Sequence, residues 1–318
     1  MMELTGKRVV MTGVTGFIGS HVAQMLLAEG AMVYGLVRPE SAGKKTLPCH
    51  EHFHLLCGTM QEAVSVCRDQ VGHADAFFHF AWGGVNRAEI DSRAVQEMNI
   101  QGALQCLEAA RQLGCRFFTD AGSRVEYGIT PDGRMEESME CHPVNEYGKA
   151  KLRFYDDARQ RCLQWGLTFY HLRFFSVYGC GDHPWSIIST LTRDLPQGLT
   201  VSLSACRHRW NFMEIEDAAR AVVELYRFSD AHAGGSHVVN VASRDTRVLR
   251  DFVQEIQDLC GGKGSLEFGT FVQAKEGALS ICPETGQLLY LTNGTWEEQI
   301  GFAEGIRRML RESAGGKG

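Results

Sequence analysis

Tyr147 and Lys151 stand four residues apart in Tyr147-Gly148-Lys149-Ala150-Lys151, and Ser123 lies upstream in Gly122-Ser123-Arg124-Val125-Glu126-Tyr127-Gly128. On a helix, residues four apart share one face. A free tyrosine has a pKa of about 10 and is a poor acid–base group at neutral pH. An ammonium close by favours the phenolate and pulls that pKa down. Tyr147 could then exchange a proton with a substrate oxygen. The competing reading is an amphipathic helix that carries a Tyr and a Lys incidentally, and the pair alone does not decide between them.

The stretch from Lys7 to Gly30 decides. Arg8 to Met11 is a short apolar run that reads as a buried strand. Thr12-Gly13-Val14-Thr15-Gly16-Phe17-Ile18-Gly19 follows, a G-x-x-G-x-x-G loop. Val22, Ala23, Met25, Leu26 and Leu27 then make an apolar helical face that stops at Gly30. Strand, glycine loop and helix are the first half of a dinucleotide-binding βαβ unit. One glycine permits the tight turn, one lets backbone N–H groups approach a pyrophosphate, and one lets the helix pack close to the sheet. The phosphates meet the positive end of the helix dipole. A positive nicotinamide beside Tyr147 adds to the pull on its phenol.

The elements that must position these groups alternate along the chain. Strands are expected at Ala31–Val37, from the His50–His54 stretch onward, and at Ala76–Phe80, Arg116–Thr119, Leu167–Phe174, Val201–Arg209 and Val238–Val241. Helices are expected at Gln61–Val71, Ile90–Leu113, Asn145–Trp165, Ile187–Leu195, Ile215–Phe228, Val248–Cys260 and Phe302–Leu310. Alternation of this kind predicts an α/β, Rossmann-type doubly wound parallel sheet with a smaller C-terminal substrate-binding lobe. Residues 1–178, with 212–241 returning to them, are expected to form the dinucleotide-binding domain. Residues 179–211 and 242–318 form the substrate-binding lobe, and Gly315–Gly318 a disordered tail.

Strand two ends in Arg38. An acidic residue there grips a ribose 2′-hydroxyl, whereas an Arg suits a 2′-phosphate, so NADP (as NADPH) is favoured. Glu40, two residues on, could hold a ribose and keeps NAD open. His50, His52 and His54 alternate at strand spacing, but no Cys or Asp cluster joins them. They read as surface histidines, and no metal site is expected.

The 318 residues carry a formal charge of −6 and no basic run, which argues against nucleic acid as a partner. No apolar run approaches the ~20 residues of a membrane helix. Eleven cysteines without a C-x-x-C pair read as reduced thiols. The chain enters its first strand directly, with no targeting segment expected, and a cytoplasmic protein is the expectation.

Together the glycine loop, Ser123 and the Tyr147/Lys151 pair resemble the extended short-chain dehydrogenase/reductase family of nucleotide-sugar epimerases, dehydratases and reductases. The landmarks run in family order over nearly the whole chain: TGVTGFIG, HFAWGG, Asn99, GSRVEYG, YGKAK, LRFFSVYG, RWNFMEIEDAARAV and a late motif at Gly305. The resemblance implies that Ser123 holds the substrate oxygen, Tyr147 is the acid–base and Lys151 orients the nicotinamide ribose. It places Gly13, Thr15, Gly16, Phe17, Ile18, Gly19 and Arg38 at the phosphates and adenosine ribose. Gly58, Thr59 and Met60 fall near the adenine, although the Asp usual there is missing. Phe80, Ala81, Trp82, Asn99, Ala121, Phe174 and Ser176 would line the rest of the cofactor. A nucleoside-diphosphate sugar would meet Ser123, Arg124, Ser176, Val177, Trp185, Arg209 and Trp210, with Arg209 on the diphosphate. Pairing through Ile90–Leu113 and Asn145–Trp165 would make a homodimer.

Departures from the pattern narrow the reading. Dehydratases of the family carry Asp-Glu after the Ser/Thr; here the pair is Arg124-Val125, and neither can cycle a proton. Epimerases usually keep an acidic residue where Arg38 stands. Arg209-Trp210-Asn211-Phe212, GSRVEYG and SVYGCGDHPW look more like 4-ketoreductases that make CDP- or dTDP-linked deoxysugars. An NADPH-dependent reductase of a nucleotide-linked 4-keto-6-deoxy sugar is therefore expected. The alternatives are an NAD-dependent nucleotide-sugar epimerase and a non-catalytic cofactor-sensing scaffold.

Overall fold

Seven parallel strands form the centre of the molecule: β1 (Arg8–Thr12), β2 (Met32–Val37), β3 (Phe53–Cys57), β4 (Ala76–His79), β5 (Phe117–Ser123), β6 (Thr168–Phe174) and β7 (Ser236–Val241). They lie in the order β7-β6-β5-β4-β1-β2-β3. The computed structural model describes residues 1–44, 46–86, 88–130, 132–270 and 280–315. The strand order reverses between β1 and β4, where a ligand crevice opens at the carboxyl ends of the strands. Every residue of β4 and β6 is buried, as strands covered on both faces require.

Helices α1 (Phe17–Ala28), α2 (Ala63–Gln70), α3 (Arg93–Gln112) and α4 (Glu146–Trp165) follow the early strands. Later come α5 (Ile187–Asp194), α6 (Ile215–Phe228), α7 (Leu249–Leu259), α8 (Gly286–Leu291) and α9 (Phe302–Gly315). One face of the sheet is covered by α1, α6 and α8 through Val22, Leu26, Val222 and Leu288. The other is covered by α2, α3 and α4 through Cys67, Leu107, Ala110 and Phe154. A separate apolar core joins α5, α7 and α9 through Leu191, Phe252, Ile256 and Ile306.

Three expectations change. The third strand begins only at Phe53, so His50 and His52 precede it, and His54 stacks on Tyr34 at 4.7 Å between ring centroids. Among the described residues no three His, Cys, Asp or Glu side chains converge as metal ligands. The single strand expected over Val201–Arg209 is two, Thr200–Leu203 and Arg209–Glu214, because the chain turns between them at Cys206, whose φ is 50°. Gly315 ends α9 instead of opening a tail, and residues 316–318 lie outside the described residues. No helix among those described is long and apolar enough to cross a membrane.

Candidate active site

The glycine loop joins β1 to α1, and its three glycines differ in what they permit. Gly13 has φ +78°, and a Cβ there would lie 2.6 Å from the Phe80 carbonyl carbon. A Cβ on Gly19 would collide with the Gly13 carbonyl. These two are required by the protein's own packing. Gly16 is exposed, and its Cβ would meet only the Gly13 oxygen at 3.3 Å. It is the N-cap of α1 and supplies no side-chain cap to the first-turn N–H groups. An open, uncapped helix start beside a glycine fits a dinucleotide pyrophosphate. Thr15, Phe17 and Ile18 are half-buried around it.

At the end of β4 the chain runs through Phe80, Ala81 and Trp82. Asn99 of α3 is buried, not an exposed mid-helix residue. It accepts a hydrogen bond from the Gly83 N–H (3.0 Å) and donates Nδ2 to the Gly83 carbonyl (2.9 Å). Gln96, one turn earlier and not singled out from sequence, accepts the Trp82 indole N–H at 2.9 Å. These two amides fasten the loop to α3. Trp82 covers Lys151, whose Nζ lies 3.5 Å from the ring centroid. Lys151 is almost fully buried and donates to the Ala121 carbonyl at 2.6 Å. Burial pushes its ammonium down to about 8, with Asp120 and Glu126 opposing.

Ser123 is the last residue of β5, four residues beyond the strand end read from sequence. A short turn, Arg124–Tyr127, starts from it with a reciprocal cap in which the Ser123 N–H donates to Glu126 Oε1 at 2.6 Å. α4 is capped by Asn145, whose Oδ1 accepts the Gly148 N–H at 2.8 Å, and this sets Tyr147 in the first turn. Burial raises the Tyr147 phenol to about 12; Ser123 and the Arg124 charge work against the rise, while Glu126 and Asp120 add to it. Lys151 Nζ is 5.9 Å from the Tyr147 ring centroid and turned to Trp82 and Ala121. Among the groups that act on this phenol, desolvation outweighs the cations.

Behind Ser123 lies a buried charge cluster that sequence reading missed. His171 of β6 bonds Asp120 Oδ1 through Nδ1 and Glu126 Oε2 through Nε2, each at 2.8 Å. Arg173 Nε donates to the same Glu126 oxygen at 2.9 Å. Burial lowers the His171 pKa, but the two carboxylates overcome it and hold the ring up at about 9. Burial likewise raises Glu126, but His171 and Arg173 bring it down to about 2. The signal was present as charged residues at alternate positions of an otherwise apolar run, His171-Leu172-Arg173.

Other expected site residues fall on the carboxyl side of the sheet. Arg38 follows β2 directly, is exposed, and pairs with Glu40 at 3.2 Å. Gly58, Thr59 and Met60 follow β3, where Glu62 caps Thr59. Phe174 ends β6 against Phe80 at 6.2 Å, and Ser176 and Val177 continue half-buried from it. Trp210 is half-buried under Arg124, its ring centroid 5.3 Å from the guanidinium carbon. Trp185 is 72% exposed and stacks on His183. Arg209 is exposed, with Nη2 donating to the Thr246 carbonyl at 2.8 Å, so part of its fork is engaged by the backbone.

A parallel sheet with a dinucleotide cradle at its switch point, and a Ser–Tyr pair beside a buried Lys, defines an oxidoreductase-type site. The sequence matches the NAD dependent epimerase/dehydratase family over residues 9–242, and the chain belongs to that family. It is an extended short-chain dehydrogenase/reductase, an enzyme acting on nucleotide sugars with a nicotinamide dinucleotide as cofactor. It is similar to the CDP-abequose synthase of Salmonella muenchen, with 22% identity over 307 residues that span 96% of this chain and 97% of the other. The GDP-6-deoxy-D-mannose reductase of Pseudomonas aeruginosa is 24% identical over 277 residues, 80% of each chain. Among solved structures, the UDP-N-acetylglucosamine 4-epimerase of Methanobrevibacter ruminantium M1, in complex with UDP-N-acetylmuramic acid, superposes with a TM-score of 0.85. It is 20% identical, covering 98% of this chain and 99% of the other.

Proposed function

We propose that the enzyme reduces a nucleotide-linked 4-keto-6-deoxy sugar with NADPH. The observation that carries this reading is the residue pair after Ser123. Arg124 and Val125 offer no carboxylate there, and the next one, Glu126, is bound by His171, Arg173 and the Ser123 N–H. No group at that place can remove and return the proton that elimination of water requires, which leaves chemistry at the carbonyl. Similarity to two enzymes named for deoxysugar products supports the same reading. Arg38 at the end of β2 supports NADPH.

The bound dinucleotide supplies hydride. The chain's own residues do the rest. Ser123 orients the C4 oxygen, Tyr147 protonates it, and Lys151, anchored on Ala121, would hold the ribose. Gly13, Thr15, Gly16, Phe17, Ile18 and Gly19 would cradle the pyrophosphate. Residues 1–178 with 212–241 would carry the cofactor, and residues 179–211 and 242–318 the sugar nucleotide. Met98 on α3 and Leu163 on α4, 61% and 70% exposed, support a homodimer through those helices. The eleven free thiols suit a cytoplasmic enzyme.

One observation favours an NAD-dependent epimerase instead: Glu40 stands beside Arg38 with a carboxylate that can grip a ribose. The deciding experiment identifies any dinucleotide carried through purification and titrates NADPH and NADH by fluorescence. It then follows NADPH consumption with dTDP-4-keto-6-deoxyglucose and its CDP counterpart. Exchangeable binding that prefers NADPH, with turnover, is expected. Tightly retained NAD would replace the reductase with the epimerase.

A further inference from the structure

Lys151 is a buried cation with little in the chain to hold it. Among the described residues its Nζ has one hydrogen-bond acceptor, the Ala121 carbonyl at 2.6 Å. The carboxylates that act on it, Asp120 and Glu126, are both bonded to His171. His79 of β4 adds no charge. It is buried, its Nδ1 meets the Thr12 hydroxyl at 2.9 Å, and burial together with the Lys151 charge keeps the ring neutral. An ammonium in such a place is costly, and burial pushes this one down to about 8.

What remains is the indole of Trp82. Its ring centroid lies 3.5 Å from Lys151 Nζ, well inside the ~6 Å reach of a cation–π contact, which strengthens where water is excluded. The ring is held from several sides. Its N–H donates to Gln96 Oε1 at 2.9 Å, and Gln96 Nε2 donates to the Gly84 carbonyl at 3.1 Å. Asn99 Nδ2 reaches the same Gln96 oxygen at 3.3 Å. Phe154 and Tyr147 of α4 pack on the ring, each 6.4 Å away between centroids. The indole is thus tied to α3 on its polar edge and lies against α4 with its face on the lysine.

We propose that Trp82 is a positioning residue of this site: its indole face, fixed by Gln96, keeps the Lys151 ammonium charged and in place, leaving its other N–H groups for the nicotinamide ribose. This rests on the reading of Lys151 as the residue that holds the ribose and attends Tyr147. No bond forms or breaks at Trp82, which acts through Lys151 alone.

The titratable groups that face Lys151 are Asp120 from β5, Glu126 from the turn after it, His79 from β4 and Tyr147 from its own helix. The test therefore follows Lys151 itself. Full-length protein labelled with ¹³C at the lysine ε-carbon is titrated by NMR without substrate or cofactor, and the Lys151 resonance is assigned by its loss in Lys151→Met. Trp82→Leu is expected to lower the Lys151 pKa by about one unit, a tenfold smaller ratio of ammonium to amine at a given alkaline pH. Trp82→Phe, which keeps a ring face, is expected to lower it less. If Trp82→Leu does not fold, wild-type sequence produced with ring-fluorinated tryptophan serves instead. Fluorine withdraws charge from the ring face at nearly the same shape, and a smaller drop in the same direction is expected. An unchanged Lys151 pKa, or a rise such as mere relief of burial would give, overturns the proposal. In parallel, kcat for NADPH oxidation with dTDP-4-keto-6-deoxyglucose is followed against pH. Its alkaline limb is expected to move down by the same unit in Trp82→Leu, with Trp82→Phe between. A limb that stays in place while the lysine titrates lower removes Trp82 from the reaction. Failure of the wild-type enzyme to turn over that sugar would count against the reductase reading alone, since the lysine titration needs no substrate.

Discussion

The end of β5 has two sides that use charge in opposite ways. Behind it, Asp120, Glu126, His171 and Arg173 are buried and balanced, two negative charges against two positive. In front, Ser123, Arg124, Tyr147 and Lys151 carry an excess of positive charge. Arg124 there has no carboxylate partner among the described residues, and the Tyr147 phenol stands at about 12. The back is closed and holds the Ser123 backbone by its N–H. In front, Ser123, Arg124 and Tyr147 are half-buried. Buried charges that pair with one another fix a shape, and charges left short of partners wait for a ligand.

The largest break in this contrast comes from the front. Tyr147→Phe should lower kcat by about a hundred- to ten-thousand-fold, the usual share of general acid–base catalysis, and leave NADPH affinity nearly unchanged. Turnover at the wild-type rate would remove Tyr147 from the mechanism.

The back should break as structure instead. His171→Leu leaves two buried carboxylates without their shared cation, and a stability loss of about 3–5 kcal/mol is expected in urea unfolding. That loss depends on pH. The folded-state pKa of His171, about 9, lies above its ordinary 6.5. Its contribution is therefore full below pH 6.5 and fades as pH rises through 9. Glu126, at about 2 against an ordinary 4.5, contributes above pH 4.5 and loses this as pH falls toward 2. The difference between wild type and His171→Leu should peak between those limits, and a pH-independent difference would contradict a buried imidazolium.

The glycine loop sharpens the same division. Gly13→Ala forces a positive φ and a backbone collision, at about 1–3 kcal/mol of stability. Gly16→Ala meets only one oxygen at 3.3 Å. It should leave the Tm nearly unchanged and weaken dinucleotide binding about tenfold, about 1.4 kcal/mol. Calorimetry and cofactor titration on both variants check this, and equal effects on stability would erase the distinction.

The smallest effect is expected at Arg38. Its ion pair with Glu40 is exposed, so Arg38→Ala should change stability by less than about 1 kcal/mol. The preference for NADPH over NADH should fall in fluorescence titrations, and an unaltered ratio would free Arg38 of any role at the 2′-phosphate.

The order of strands and helices was legible because apolar runs, glycines and the 3.6-residue period are local signals. So were the glycine loop and the Tyr147/Lys151 spacing, which depend on neighbours in the chain. The split of Val201–Arg209 was not, since it turns on a backbone reversal at Cys206 that no composition signal marks. Gln96 looks like an ordinary mid-helix polar residue until the loop after β4 is folded onto it. The charge cluster joins residues 45 to 51 positions apart, on two neighbouring strands and the turn after one of them, beyond any window in which periodicity works.

The sequence by itself determined the class of fold and the family, because the strand–glycine loop–helix start and the alternation of elements are written in residue types at short spacing. Only the tertiary structure decided which cation attends which group. Lys151 is turned to Trp82 and Ala121, Glu126 is taken by His171 and Arg173, and Arg124 lies over the Trp210 ring. Electrostatic pairing depends on distance and burial in space, and the packing of β5, β6 and α4 sets both.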